Sequence, residues 1–478
     1  MNHKSIPLFQ KLSEFSKQNP VSFHVPGHKN GAIFPEKAIE SYDQLLPLDL
    51  TELTGLDDLH APSGVITEAE KLAADFFGAD HTFFLVGGST AGNLAMILAA
   101  CNAGDKIIVQ RNCHKSIING LELSGAMPVF INPEYDKSVD RYTAPNLATL
   151  KQALEENSDA KAVVLTYPDY FGKTYAIKQM IEIAHKHNIP VLVDEAHGVH
   201  FSLGELFPSS SLDLGADVVV QSAHKMAPAM TMSSFLHIKS TRIEMGKIAH
   251  YLQMLQSSSP SYPLMASLDI ARSFLAGLTP IELENIQASV YQVRELMQSN
   301  DVWDLLTYVE TDDLLKIIIQ VKDGLSGHDV AQAFEKEGIY PELATHNQVL
   351  FIHGLAPFNE HSKLNRAIKR IKEQLKISSY HATIDIGRLF VKPIQKLAVS
   401  YQTMNQLQPV YVPLKEGTGY IAAEAIIPYP PGIPLILKGE IITTEHIEII
   451  EQLLEQGVTI QHRDLNKGIG VFKGEEVT

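Results

Sequence analysis

The chain has 478 residues, 45% of them hydrophobic and 20% charged, which allows two or three domains with large cores and leaves no segment that reads as disordered. It carries 39 basic and 55 acidic residues, a formal net charge of −16, and this balance argues against non-specific binding to nucleic acid or to an anionic membrane. A cationic small molecule would be attracted. The only cysteines, Cys101 and Cys113, make no disulfide framework and fit a reducing compartment. The N-terminal stretch MNHKSIPLFQKLSEFSKQNP is broken by polar residues and lacks the apolar core of a signal peptide, and no apolar run approaches the length of a membrane span. A cytoplasmic location is the resulting expectation.

Near the N-terminus, His24 and His28 in FHVPGHKNG are four apart, but Pro26-Gly27 prevents a helical pair. His197 and His200 are three apart, and the chain has no H-E-x-x-H or paired C-x-x-C, so no metal is expected. Between about Thr67 and Ile238, short apolar β-branched runs alternate with helical patterns. The runs are Thr82–Val86, Lys106–Val109, Pro128–Ile131, Lys161–Thr166, Pro190–Asp194, Asp217–Gln221 and Ser234–Ile238. They read as seven strands buried on both faces. Ala176–His187, with Ile177, Met180, Ile181 and Ala184 at helical spacing, lies between the fourth and fifth. Strand–helix–strand repetition predicts a largely parallel sheet covered by helices, with ligands bound beyond the carboxyl ends of its strands.

The chemistry-bearing motifs fall at those strand ends. VGGSTAGN, Val86–Asn93, joins a strand to a helix. Its glycines let backbone approach an anion, Ser89 and Thr90 offer hydroxyls, and the helix start adds free N–H groups. Taken alone it is also a common turn. RNCHKS, Arg111–Ser116, puts His114 after the second strand, where an imidazole could lie flat on an aromatic ring; in isolation it reads as a surface histidine. VLVDEAHGVH ends a strand on Asp194 and Glu195. A carboxylate there either caps a helix or pairs with a pyridinium nitrogen, keeping the ring an electron sink. QSAHKMAP, Gln221–Pro228, places Lys225 just past a strand beside His224. Burial next to another cation favours the neutral amine that a Schiff base requires, although taken alone the residue reads as an ordinary surface-loop lysine. The letters DEAH together with Gly172-Lys173-Thr174 do not make a nucleotide site. The first glycine of a phosphate loop would fall on Tyr167, and the two segments are too close in sequence.

After about Pro280 the pattern changes. A long helical stretch to Ser299 leads to a strand (Leu315–Val321), a helix (His328–Gly338), a strand (Val349–His353) and a basic helix (Asn359–Leu375). From about Ile377 come irregular strands, the Pro-rich run IIPYPPGIP and a final helix, Thr444–Gln456. The expected division is an N-terminal segment with a large domain over 1–285, a small α+β domain over 286–376, and a C-terminal α+β domain over 377–478.

In order, FHVPGHKNG, LDDLHAPSG, GADHTFFLVGGSTAGN, RNCHKSI, VLVDEAHGVHF, SAHKMAPAMT, SSSPSYPLMASLD and EAIIPYPPGIPLI resemble the ornithine/lysine/arginine decarboxylases, fold-type-I enzymes that use pyridoxal 5′-phosphate (PLP). The resemblance implies an aspartate-aminotransferase-like large domain and α-decarboxylation of a basic amino acid in polyamine metabolism. Arginine is favoured over lysine, then ornithine. It also implies that Lys225 carries the cofactor as a Schiff base, Asp194 pairs with the ring nitrogen, His114 stacks on the ring and Ala196 packs beneath it. Ser89, Thr90, Ser222 and His224 would surround the phosphate, His197 would adjoin the cofactor, and Glu424 would meet the substrate's distal cation. Ser259, in a polar run preceding an apolar helix, would reach the phosphate of a partner subunit, giving a homodimer with shared active sites or a higher oligomer. The alternatives are another fold-type-I reaction such as transamination, or a catalytically silent regulator. Two departures from the family pattern stand out: Asp169 where a neutral hydroxyl residue is usual, and Ser-Thr order at positions 89 and 90. The chain resembles the short branch of the family, without a receiver-like domain before FHVPGHKNG.

Overall fold

In the computed structural model, residues 1–375, 390, 392–428, 434–455, 460–461 and 468–473 are described. Residues 429–433 of the Pro-rich run, and Ile377, the expected start of the third domain, lie outside them. The chain falls into two compact units that interleave in sequence, Met1–Ala100 with Asn188–Thr279, and Cys101–His187 with Pro280–Thr478.

All seven expected strands form, each within two residues of its expected ends. In the first unit the strands His81–Leu85, Ser234–Ile238, Val218–Gln221 and Val191–Asp194 lie side by side in that order. The last two are parallel and the other neighbours antiparallel. Their continuous apolar character follows from burial: every residue of Val191–Asp194, Val218–Gln221 and Ser234–Ile238 is buried. Helix Gly88–Ala100 lies close against this layer. A Cβ on Gly92 would come within 2.7 Å of Leu85 and 2.9 Å of Val220, so only glycine allows the approach. The strand His81–Leu85 is at the end of the row, and two backbone N–H groups along this edge are taken by side chains. Glu70 accepts from Phe84 N–H at 3.1 Å and Gln256 from Val86 N–H at 2.8 Å.

Helix Pro7–Lys17 is held to helix Tyr262–Gly277 by a buried acid–base pair. Asp269 accepts from Leu8 N–H and binds Arg272 at 2.6 Å, and Arg272 also donates to the carbonyls of His3 and Ser5.

The second unit has the parallel strands Val163–Thr166, Lys106–Gln110 and Met127–Ile131, in that order, with Ile394–Lys396 added antiparallel. It also holds an antiparallel sheet of Trp303–Leu305, Lys316–Val321, Gln348–Ile352 and Leu343–Ala344, with helices Gly327–Lys336 and His361–Gln374 packed together beside it. Near the C-terminus, strands Val410–Val412, Ile469–Phe472 and Ile421–Ala422 and helix Thr444–Glu455 enclose a core that includes Ile426, Ile436, Ile450 and Val471. Among the described residues no single helix is long and apolar enough to cross a membrane.

Candidate active site

The site in the first unit is built from three chain reversals at one end of its strands. Beyond His81–Leu85 the chain turns at Gly88, whose φ of +71° needs glycine and whose N–H donates to Met232 O at 2.9 Å. Ser89 then sits in the first turn of helix Gly88–Ala100. Its Oγ lies 2.7 Å from Ser222 Oγ and 3.2 Å from Ser234 Oγ, so hydroxyls from a helix start and two strand ends converge. Thr90 follows, exposed. Hydroxyls bonded to one another can turn toward an anion at little cost, and the helix start favours negative charge there.

Strand Val191–Asp194 ends on a buried carboxylate. Asn93 Nδ2 donates to Asp194 Oδ2 at 2.9 Å and Ala196 N–H to Oδ1 at 3.3 Å, which fixes the plane of the group. Asn93 lies inside the glycine-serine motif, but its role was not readable, because its partner is 101 residues away. The neighbouring strand Val218–Gln221 leads into Ser222 and a single helical turn, Ala223–Met226. This turn carries Lys225, whose Nζ stands 3.0 Å from Nε2 of the buried His197. His224 Nδ1 is 3.0 Å from Ser233 O, so its ring is tied to the segment before strand Ser234–Ile238. Ser89, Ser222, Asp194, His197 and Lys225 are thus brought to one end of the sheet.

Beneath this turn lies a second carboxylate. Glu195 is fully buried and accepts from Ser210 Oγ at 2.8 Å, Ser211 N–H at 2.5 Å and Gln221 Nε2 at 2.6 Å. Burial pushes its pKa up to about 7 against the pull of these donors.

Ser259 is exposed, two residues before Ser261. Ser261, not the run Ser257–Ser259, caps helix Tyr262–Gly277, its Oγ accepting from Leu264 N–H at 3.4 Å. The segment is anchored on both sides. Gln256 reaches Val86, His60 Nε2 lies 2.8 Å from Ser257 O, and Tyr262 OH donates to Asp57 O at 2.5 Å.

His114 and Glu424 belong to the second unit. His114 caps helix Lys115–Ser124, its Nδ1 accepting from Ser116 N–H at 3.2 Å. Its ring is therefore held by Nδ1. Glu424 Oε1 accepts from Gly470 N–H at 2.8 Å, which ties it to strand Ile469–Phe472. Asp169, one of the departures, is buried. It accepts from Phe171 and Lys173 N–H and pairs with Arg141 at 3.4 Å, an arrangement that accounts for a carboxylate at this place.

The donor set of the first unit suits PLP. It offers hydroxyls at a helix start for a phosphate, a fixed buried carboxylate for a protonated ring nitrogen, and a lysine amine beside a histidine for an aldehyde. Comparison with known proteins agrees. The Orn/Lys/Arg decarboxylase major domain matches residues 6–316, and the C-terminal domain of the same family matches 384–462. The uncharacterized protein YaaO of Bacillus subtilis is 45% identical over 95% of both chains, and the arginine decarboxylase of the same organism is 38% identical over 96% of both. The Escherichia coli constitutive lysine decarboxylase structure superposes with a TM-score of 0.81 over 98% of this chain and 82% of its own, at 20% identity. With the match over most of its length, the chain belongs to the Orn/Lys/Arg decarboxylase family, and is a fold-type-I, PLP-dependent enzyme that decarboxylates a basic amino acid.

Proposed function

We propose that the substrate is arginine, that the product amine enters polyamine metabolism, and that Lys225 is the residue that carries PLP. The observation that carries the site reading is the 3.0 Å approach of Lys225 Nζ to His197 Nε2, one strand away from the fixed carboxylate of Asp194. Support for arginine is the full-length similarity to chains named arginine decarboxylase, at 35–38% identity, against 27% over 62% of this chain for a Pseudomonas aeruginosa lysine decarboxylase.

When bound, PLP supplies the electron sink that lets the bond between Cα and the carboxylate break. The residues do the rest. An amine reacts only without its extra proton, and His197 Nε2 is placed to take one from Lys225 Nζ and return it. Asp194 holds a proton on the ring nitrogen by charge, while Asn93 keeps its carboxylate from rotating. Ser89, Thr90, Ser222 and His224 would bind the phosphate, Ala196 would pack against the ring and His114 would stack on it. Glu424 receives the distal cation; a carboxylate has lone pairs enough to keep the Gly470 N–H as well. Two chains share their sites through Ser259. A cytoplasmic location is supported by the scarcity of cysteine, Cys101 and Cys113 being the only two and both buried.

Incubation with arginine, lysine and ornithine, with the amine product identified, tests the substrate. Agmatine should dominate; a clear excess of cadaverine or putrescine would reassign it. Mixing Lys225→Ala and Ser259→Asp subunits tests the shared site. Mixed dimers should regain activity in about half of their sites by two-fold symmetry. Mixed dimers that stay inactive would place both residues in one chain's site.

A further inference from the structure

Glu195 is an expensive residue. Desolvating a carboxylate costs several kcal/mol, and an apolar side chain of similar size would fill the same space more cheaply. Its three donors come from two places: Ser210 and Ser211 on one side, and Gln221, the last residue of the strand that leads to Ser222 and Lys225, on the other. Its own backbone N–H donates to Val220 O, and its carbonyl receives Gly198 N–H, closing the turn that carries Asp194, Ala196 and His197. Gly198 leaves no room around it: a Cβ there would lie 2.6 Å from Glu195 Cγ.

The contact continues across the sheet. With Gln221 Nε2 given to Glu195, the amide oxygen faces His237 Nε2 at 3.0 Å, so that nitrogen bears the proton. His237 Nδ1 is then an acceptor, and Thr82 Oγ1 donates to it at 2.8 Å. Thr82, Gln221, Glu195 and His237 are all buried, so every orientation in the chain is set by its neighbour. Burial also lowers the His237 pKa to about 3, which keeps the ring neutral, as the relay requires.

We propose that Glu195, acting through Gln221, is a positioning residue. It locks the strand end bearing Asp194 and His197 to the strand end bearing Lys225, and so sets the separation of Lys225 Nζ from His197 Nε2. This rests on the reading of Lys225 as the cofactor lysine. A buried carboxylate that only filled space would be replaceable by leucine without consequence for the amine.

The test uses the full-length protein and three variants. Gln221→Leu cuts the tie but leaves Glu195 its two serine-segment donors, so the fold is kept. Glu195→Leu removes the acceptor. Glu195→Gln is the conservative rescue. Its amide can present nitrogen to a flipped Gln221 and to Ser210 Oγ, and the relay then runs in reverse with the other His237 tautomer. Three quantities are read: the release half-life of PLP, the pH midpoint of the visible absorbance of the PLP–lysine imine, and amide hydrogen exchange of peptides covering 194–200 and 221–227 in cofactor-free protein. Gln221→Leu, which removes one of the three hydrogen bonds to Glu195, should release PLP roughly tenfold faster, and Glu195→Leu, which removes all three, at least as fast. They should also displace the absorbance midpoint and speed exchange in both peptides, and lower the melting temperature, more in Glu195→Leu, which strands three buried donors. Glu195→Gln should restore most of each. Wild-type release rate and midpoint in Gln221→Leu, or in a folded Glu195→Leu, would overturn the proposal. If wild-type protein forms no imine at Lys225, the site reading fails by itself, and exchange in the cofactor-free variants still decides whether the tie exists.

Discussion

Two regions of the molecule bury charge, and they do so differently. In the second unit, Arg111 and Glu440 form a closed set. Arg111 donates to both carboxylate oxygens, at 3.3 and 2.8 Å, and to the carbonyls of Pro434 and Leu435. Glu440 also takes Gln395 Nε2 and Leu437 N–H. The partners are ones that folding alone satisfies, backbone groups included. In the first unit the polar groups at the strand ends satisfy one another by bonds that can be exchanged, hydroxyl to hydroxyl at Ser89, Ser222 and Ser234, and amine to imidazole at Lys225 and His197. The first arrangement is a clamp and the second a site. What separates them is whether the partners are committed, since a ligand can replace a rotatable hydroxyl's partner but not a guanidinium's carboxylate without a large loss.

If that distinction holds, substitutions in the two regions should fail in different measurements. Asp194→Ala should give the largest effect. The protein should stay folded and bind PLP, while turnover falls on the order of a thousandfold or more because the ring loses its fixed counter-charge. Near-wild-type kcat would mean that Asp194 only ends a strand. Arg111→Ala should instead lower stability by about 3–5 kcal/mol, since it strands the Glu440 carboxylate in the interior. Denaturant unfolding reads this directly. A cofactor-specific loss at unchanged stability would place Arg111 on the site side of the comparison.

Asn93→Ala sits between the two. It removes one hydrogen bond to the Asp194 carboxylate without removing the charge, so kcat should fall roughly ten- to a hundredfold, the worth of a hydrogen bond to an ionised group. KM should move little, because Asn93 is expected to act through Asp194 and not on the substrate. A change confined to KM would break that assignment.

The sequence exposed the clamp and the site unequally, for physical reasons. The seven strands were legible because doubly buried strands must be short, apolar and β-branched, and Val191–Asp194 and Val218–Gln221 are. Asp194 and Lys225 were legible because they stand directly after such runs. Ile394–Lys396 was not, since an edge strand that carries Gln395 and Lys396 has no apolar pattern to betray it. Nor was the hairpin of Pro133–Asp136 with Arg141–Pro145, whose residues alternate in burial only on one strand. Asn93, Glu195 and Arg111 were hidden for another reason. Their meaning lies in partners 15 to 329 residues away, and a polar letter has no assigned role until the fold supplies its partner. Ser261 shows the finer limit: among several serines before a helix, only geometry picks the cap.

The smallest effect should come from a buried charge that belongs to neither class. Glu70 is almost fully buried, and its one described hydrogen bond is from Phe84 N–H at the edge of the sheet. It has neither a guanidinium nor a ligand to balance it, and burial pushes its pKa up to about 8, against 4.5 for an ordinary glutamate. The acid is therefore protonated in the folded protein at neutral pH but ionised in the unfolded chain. A group whose folded pKa is raised gives its full share of stability below about pH 4.5, and that share is lost as pH rises through about 8. Glu70→Gln keeps a carbonyl oxygen for Phe84 N–H and cannot ionise. Near pH 4 the two proteins should unfold at similar denaturant concentrations. As pH is raised toward 9, wild type should lose stability relative to the variant, until Glu70→Gln is the more stable of the two. Glu195 and His237 also titrate abnormally, but they are common to both proteins and cancel in the difference. Parallel pH profiles for the two proteins would show that Glu70 finds a partner for its charge after all, and would move it into the class of the clamp.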